Sequence, residues 1–242
     1  MTRARVVGVV GGSGGVGASV LACAVAVRAA QAAQRVVLVD GCSLGGGLDV
    51  LMGVEQEPGL RWPDLASVRG ALDGHELAER LPVSAGVPVL SFDRARDVAL
   101  PADSVQEVMA ASCATADVVV VDLPTPADPL FDQLAGFVEM VVLVCGRGIV
   151  ELAAASAMSA RVTLSCDQVW LVVRTAGRGL EFADEVSGAI ELPLLGGLRD
   201  DPALDADLLH GIPAGSRRRG PLVELADHVL LQLVCDERPV AS

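Results

Sequence analysis

Three groups of residues in this 242-residue chain could do chemistry together. The first is Gly12-Ser13-Gly14-Gly15-Val16-Gly17-Ala18-Ser19, a glycine-rich turn between a short apolar run, Val6 to Val10, and a long Ala/Val/Leu run. The other two are carboxylates that each end an apolar run, Asp40 in VVLVD and Asp122 in DVVVVD. Strand, glycine loop and helix is the layout in which backbone N–H groups and a helix N-terminus hold a phosphate. The spacing of Gly12, Gly17 and Ser19 fits G-x-x-x-x-G-K-[ST], where the lysine reaches the β- and γ-phosphates and the hydroxyl binds Mg²⁺. Where the lysine belongs, the sequence has Ala18. A strand-end Asp shares the Mg²⁺ in such sites. Ser19 and Asp122 are therefore the candidate metal ligands, with Asp40 reaching the same ion through water. A glycine turn alone could serve only tight packing; two strand-end carboxylates at fitting intervals favour the nucleotide geometry.

Elements must position these residues, and the sequence supplies them. Val6–Val10 reads as a buried strand and Ala18–Ala33 as a helix apolar nearly all round. Strands follow at Val36–Asp40, Val87–Phe92, Asp117–Asp122, Phe137–Cys145, Gln168–Val173 and Ala189–Leu194. Between them lie a loop at 41–47 and helical patterns at Leu48–Met52, near Pro63, at Asp73–Leu81, from Pro101 to Thr115, near Val150–Arg161 and Glu181–Ser187, and from Pro221 to Cys235. Continuous apolar strands alternating with helices predict an α/β fold of the P-loop NTPase kind, three layers (α/β/α) around a mostly parallel sheet. One domain spanning 1–242 is expected. Ligands of such sheets sit at the carboxyl ends of the strands, where all three groups converge.

Composition narrows the chemistry. Hydrophobic residues make up 52% and aromatics only 2%, so Val, Leu and Ala must build the core. The formal charge of −13 argues against nucleic acid and anionic lipid as partners. All 18 basic residues are arginine; the chain contains no lysine, asparagine or tyrosine. A lysine elsewhere in the chain therefore cannot replace the missing one. The six cysteines form no C-x-x-C pair and read as buried, reduced thiols rather than a disulfide framework or zinc site. Neither a signal peptide nor a membrane span is read, and a cytoplasmic protein is expected. His75, His210 and His228 show no ligand spacing. Trp62 in GLRWPDL reads as a core anchor ahead of a partner hot spot. Leu222, Leu225, Ala226, Val229, Leu230 and Leu233 form a stripe on the last helix, whose polar face (Glu224, Asp227, His228, Gln232) suits core packing and not direct membrane insertion.

On these residues the chain resembles the MinD/ParA family of deviant Walker ATPases. That family's loop reads K-G-G-x-G-K-[ST], and Ser13–Ser19 here reads SGGVGAS. Its second strand ends D-x-D before a loop and L-D-x-x-x-G; here these are Asp40-Gly41-Cys42 and Leu48-Asp49 through Gly53. DVVVVDLPTPAD matches its Walker B strand and switch. GGGLDVLMG, GLRWPDL and VVVDLP place the closer likeness in the actinobacterial CpaE-like/TadZ-like branch, which includes septum-site-determining proteins and is found beside pilus and secretion ATPases. The likeness covers nearly the whole chain. Many relatives carry an N-terminal receiver-like domain, which is not read in this sequence. The resemblance implies a pocket for ATP or ADP with Mg²⁺ at Gly12, Ser13, Gly14, Gly15, Val16, Gly17, Ala18 and Ser19. It also implies protein partners of pilus, secretion or division machinery, a homodimer, and recruitment to pole or septum through those partners.

Four departures bear on activity. Ala18 cannot contact the phosphates. Ser13 stands where the family's signature lysine reaches across the dimer to the partner's ATP. Cys42 replaces the second Asp of D-x-D, which positions the attacking water. Arg174, in LVVRTAG, stands where relatives use Asn to read adenine. A charge-assisted phosphate contact contributes roughly 1.5–3 kcal/mol, so two missing lysines cost several kcal/mol of ATP affinity, and hydrolysis suffers more. Arg147 and Arg174 are the candidate replacements, although strand-end loops are usually solvated and the favoured reading of both is an exposed loop residue. The reading that results is a localising or regulatory protein with a weak or vestigial nucleotide pocket, and no catalytic residue is assigned. The alternative is an active ATP-dependent dimerising switch that uses arginines. A DNA-partitioning ATPase ranks third, behind both, because of the charge.

Overall fold

The computed structural model describes residues 3–44, 47–96, 98–175 and 179–235. Gly45 and Gly46 of the predicted loop, and Ala176 and Gly177 of LVVRTAG, lie outside the described residues. The strands are β1 (Arg5–Gly11), β2 (Val36–Asp40), β3 (Val83–Ser84), β4 (Val87–Leu90), β5 (Val118–Asp122), β6 (Met140–Cys145), β7 (Val169–Arg174) and β8 (Leu194–Leu198). They form one eight-stranded sheet in the order β3-β4-β2-β5-β1-β6-β7-β8. Every pairing is parallel except β3–β4, a short hairpin at one edge.

Period-two alternation sorts the valines into two cores. In β1, Val6 and Val10 face one side and Val7 and Val9 the other; in β5, Val119 and Val121 oppose Val118 and Val120. Helix α1 (Ala18–Gln31), α2 (Leu48–Met52) and α10 (Pro221–Val234) cover the second face. The first is covered by α3 (Trp62–Leu65), α4 (Gly74–Arg80), α5 (Ala102–Thr115), α6 (Pro129–Ala135), α7 (Ile149–Val162) and α8 (Gly179–Ile190). The remaining described helix, α9 (Leu204–Leu209), buries none of its residues. The fold is the expected three-layer α/β/α arrangement with a mostly parallel sheet.

Helix α1 is small-residue-rich because it lies between the sheet and α10. Leu21 through Val27 and Ala29 are all buried. Its far end is tied down where the Arg28 guanidinium donates to both carboxylate oxygens of Asp227 on α10, at 2.7 and 3.0 Å. The stripe predicted on the last helix is in the core: Leu222, Leu225, Ala226, Val229 and Leu233 are buried, and Leu230 is half-buried.

Three sequence expectations need correction. The strand expected at Ala189–Leu194 lies instead at Leu194–Leu198; Ala189 and Ile190 finish α8, whose apolar positions Ala183, Val186 and Ile190 keep helical spacing. The strand expected at Val87–Phe92 ends at Leu90 and is preceded by β3, whose turn uses Ala85 and Gly86 at positive φ. The strand expected at Phe137–Cys145 begins at Met140, and a helix precedes it: Asp128 caps α6 by accepting from the Leu130 N–H, and Pro129 occupies the first helical position. Among the described residues no helix is long and apolar enough to cross a membrane.

Candidate functional site

The site begins at the end of β1, where the Gly12 N–H still bonds the Val144 carbonyl at 2.8 Å. A Cβ on Gly12 would stand 2.7 Å from Ala155 Cβ of α7, so glycine is required for this close approach. The chain then turns, and Gly17 enters α1 at φ +94° with no side-chain cap. The N–H groups of the first helical turn consequently face the cavity without a side-chain acceptor. At Gly14 and Gly15 an added Cβ would meet nothing within 4 Å, so the loop crest is open. Ser13 Oγ is closed off from solvent and has no hydrogen-bond partner. A cavity of about 370 Å³ lies against these residues and is walled by Ser13 through Val20, Cys42, Asp122, Leu123 and Thr125. The structure thus brings Gly14, Gly15, Val16, Gly17, Ala18 and Ser19 together around one space, with Gly12 behind them.

The two carboxylates arrive by register. Asp40 and Asp122 are directly paired positions at the ends of neighbouring parallel strands β2 and β5. Both are buried. Burial pushes the Asp122 carboxyl up to about 7, opposed by a hydrogen bond from the Ser19 hydroxyl and reinforced by the charge of Asp40. Burial likewise raises Asp40 to about 6, opposed by backbone donors. Those donors are the N–H groups of Cys42 and Leu48, each 2.9 Å from a different oxygen of Asp40. The Trp62 indole N–H donates to the Asp40 carbonyl at 2.7 Å. Trp62 is fully buried and stacks obliquely near Phe92, so the core-anchor expectation holds, and the anchor positions the site.

The arginines stand elsewhere. Arg174 lines a second cavity of about 460 Å³ on the other side of Gly15 and Gly17, with Leu198, Asp200 and Leu222. Its guanidinium is hydrogen-bonded to Asp200, and Arg147 Nη1 lies 4.0 Å from the same carboxylate. Neither arginine lines the first cavity, and among the described residues no basic residue does. Asp200 was not singled out in the sequence, although the doubled carboxylate of LRDDP after an apolar strand was visible there.

The cysteine expectation needs correction. Cys23, Cys145 and Cys166 are buried, Cys42 and Cys113 are half-buried, and Cys235 is exposed. More important, Cys42 comes together with Asp40 and Asp122: one ligand atom from each lies within 4.8 Å of the others. Pairwise spacing in sequence could not show this, because the third member arrives from another strand.

The fit to a nucleotide with Mg²⁺ divides. In shape the loop suits a phosphate: an open crest, an uncapped helix N-terminus and an orphaned hydroxyl. Ser19 and Asp122, already hydrogen-bonded to each other, are placed to share a divalent ion. In charge the loop does not suit a triphosphate, since the described residues line the cavity with a buried carboxylate and no cationic side chain.

No family model matches the chain. An uncharacterized protein of Mycobacterium tuberculosis is 39% identical over 225 residues, which is 93% of this chain and 63% of that protein. The chain therefore spans less than two thirds of that relative's length. Among solved structures, a ParA family ATPase from Chlorobium tepidum superposes with a TM-score of 0.80 at 19% identity, covering 94% of this chain and 98% of the other. MinD in the MinC:MinD complex of Aquifex aeolicus gives 0.77 at 15%, covering 98% and 99%. The septum site-determining protein MinD of Pyrococcus horikoshii, complexed with Mg-ADP, gives 0.70 at 19%, covering 93% and 96%. The fold is that of the MinD and ParA P-loop ATPases, carried by a chain with no lysine to place in its loop.

Proposed function

We propose that this chain is a degenerate member of the MinD/ParA family that acts through partner proteins and does not turn over ATP at an appreciable rate. The carrying observation is the cavity at the glycine loop, which no basic side chain among the described residues lines. Phosphoryl transfer is accelerated by positive charge placed on the β- and γ-oxygens and by an oriented nucleophile. Here Ala18, Ser13 and Cys42 supply neither. Arg147 and Arg174, which could have compensated, are directed at Asp200. This disfavours the arginine-based ATP switch, and the −13 charge disfavours DNA partitioning.

What the chain's own residues can still do is hold a ligand weakly. The first-turn N–H groups of α1 can donate to one phosphate, and Ser19 with Asp122 can hold Mg²⁺ if a nucleotide brings it. The nucleotide pocket is thus retained for shape, and any ATP or ADP is bound loosely. The complex of the Aquifex aeolicus neighbour with MinC supports a partner-binding role for this architecture. The CpaE-like/TadZ-like resemblance supports localisation or regulation of pilus or secretion machinery, or of the septum site, in the cytoplasm. One domain and a homodimer belong to the same proposal.

The test is the nucleotide content of the protein as purified. Chromatography of the acid-released fraction is expected to yield well under one equivalent of ATP plus ADP. A stoichiometric nucleotide that survives gel filtration would overturn the reading.

A further inference from the structure

We propose that Asp40, Cys42 and Asp122 form a divalent-cation site of mixed oxygen and sulfur donors, suited to Zn²⁺ or Co²⁺ rather than Mg²⁺, that fills without nucleotide. The proposal stands apart from the partner role and from any phosphate chemistry, since it needs neither.

The geometry is close to what such an ion requires. One ligand atom from each residue lies within 4.8 Å of the others. Around a tetrahedral Zn²⁺, with bonds of about 2.0–2.3 Å, donors sit roughly 3.3–3.7 Å apart. Closure therefore needs side-chain movement of about 1 Å, and Cys42 lies on the loop after β2, where such movement is available.

The donors are held for the purpose. Asp40 accepts from the Cys42 N–H through one oxygen and from the Leu48 N–H through the other, which leaves each oxygen a lone pair. Its carbonyl is fixed by Trp62. Hydrogen bonds of this kind orient metal ligands in established sites. A second observation is independent of the three ligands. Ser13 Oγ is sequestered and without a partner, and Ser13 lines the same cavity as Cys42 and Asp122. A buried hydroxyl left unsatisfied is costly unless something in the cavity completes it, and a water on a bound ion would do so.

Charge points the same way. Two buried carboxylates lie at directly paired positions of β2 and β5, beside Cys42. Arg94, whose charge reaches Asp40, is ion-paired to Asp49. With Asp122 and Cys42 on the cavity wall and Asp40 paired beside Asp122, the site favours a cation over a phosphate. Sulfur decides which cation: thiolate ligands select Zn²⁺ and related transition metals, whereas Mg²⁺ takes oxygen. As the ion enters, the Cys42 thiol gives its proton to solvent and its sulfur electron pair to the metal; no redox change occurs.

The experiment uses the full chain, freed of metal by chelation and of nucleotide by gel filtration, and titrates it with Co²⁺ under reducing, anaerobic conditions. A sulfur-to-cobalt charge-transfer absorption in the near ultraviolet is expected, saturating at one equivalent, removed by Zn²⁺ and unaffected by a hundredfold excess of Mg²⁺. Cys42→Ser should abolish that absorption and lower Co²⁺ affinity at least about tenfold. Cys42→Asp should also abolish it while keeping a cation site that Mg²⁺ now contests; this variant carries the test if Cys42→Ser does not fold. No charge-transfer band at saturating Co²⁺, a band that survives Cys42→Ser, or Mg²⁺ competition at equal concentration would overturn the proposal. ATP turnover by the same preparation would overturn the degenerate-enzyme reading and leave this one standing.

Discussion

Replacing Ala18 by lysine isolates what the loop lacks. Ala18 is the first residue of α1 and lines the cavity with Ser19 and Asp122. A lysine there has open space ahead of it, because nothing lies within 4 Å of the Cβ positions at Gly14 and Gly15. A charged hydrogen bond to phosphate contributes about 1.5–3 kcal/mol, so Ala18→Lys should raise ATP affinity about tenfold to a hundredfold. Two effects work against the gain. A cation at a helix N-terminus is disfavoured by about 0.3–1 kcal/mol, which in a chain of this size lowers Tm by about 1–4 °C. The ammonium can also pair with Asp122, whose carboxyl is raised to about 7 by burial and would fall once a cation approached. Ala18→Met, which supplies the stem without the charge, is the control. The assay is calorimetric titration of both variants with ATP and Mg²⁺. Equal affinity in Ala18→Lys and Ala18→Met, with both folded, would refute the argument that the loop keeps its shape and lacks only charge.

Other consequences follow from the same geometry. Trp62→Phe leaves the Asp40 carbonyl without its donor and should cost about 1–3 kcal/mol, read as a lower urea midpoint at unchanged m-value. Gly12→Ala forces a Cβ against Ala155 and should destabilise by about 1–3 kcal/mol, measured the same way. For metal-free protein, Asp40 and Asp122 have folded-state pKa values of about 6 and 7, above their unfolded values. The folded state then binds more protons, so stability should fall as pH rises from about 4 through 7 and level off above. Thermal unfolding across that range should show the slope, and Asp122→Asn should flatten its upper part.

The sequence carried the sheet well where burial was two-sided. VVLVD and VVVVD read as strands because every residue is apolar up to a terminal carboxylate, and both strands end where expected. The eighth strand, LLGGL, was misplaced because its two glycines carry no hydrophobic signal and are admitted only by close packing: a Cβ at Gly197 would stand 2.8 Å from the Thr175 side chain. Helix α9 was invisible for the opposite reason, since LDADLL fully buries none of its residues and only Leu204 packs against the core. At the site, the glycine loop and both carboxylates were legible from spacing alone. The role of Trp62 was not, because it depends on a contact between residues 22 positions apart. Nor was the direction of Arg174, which is set by Asp200 across the β7–β8 edge.

The central claim is that a glycine loop with no lysine holds its shape without driving chemistry. It is tested most directly by titrating the unmodified chain with ATP and Mg²⁺ while following phosphate release in the same sample. Weak binding and no release above the protein-free rate are expected. Tight binding accompanied by sustained, protein-dependent release would contradict it.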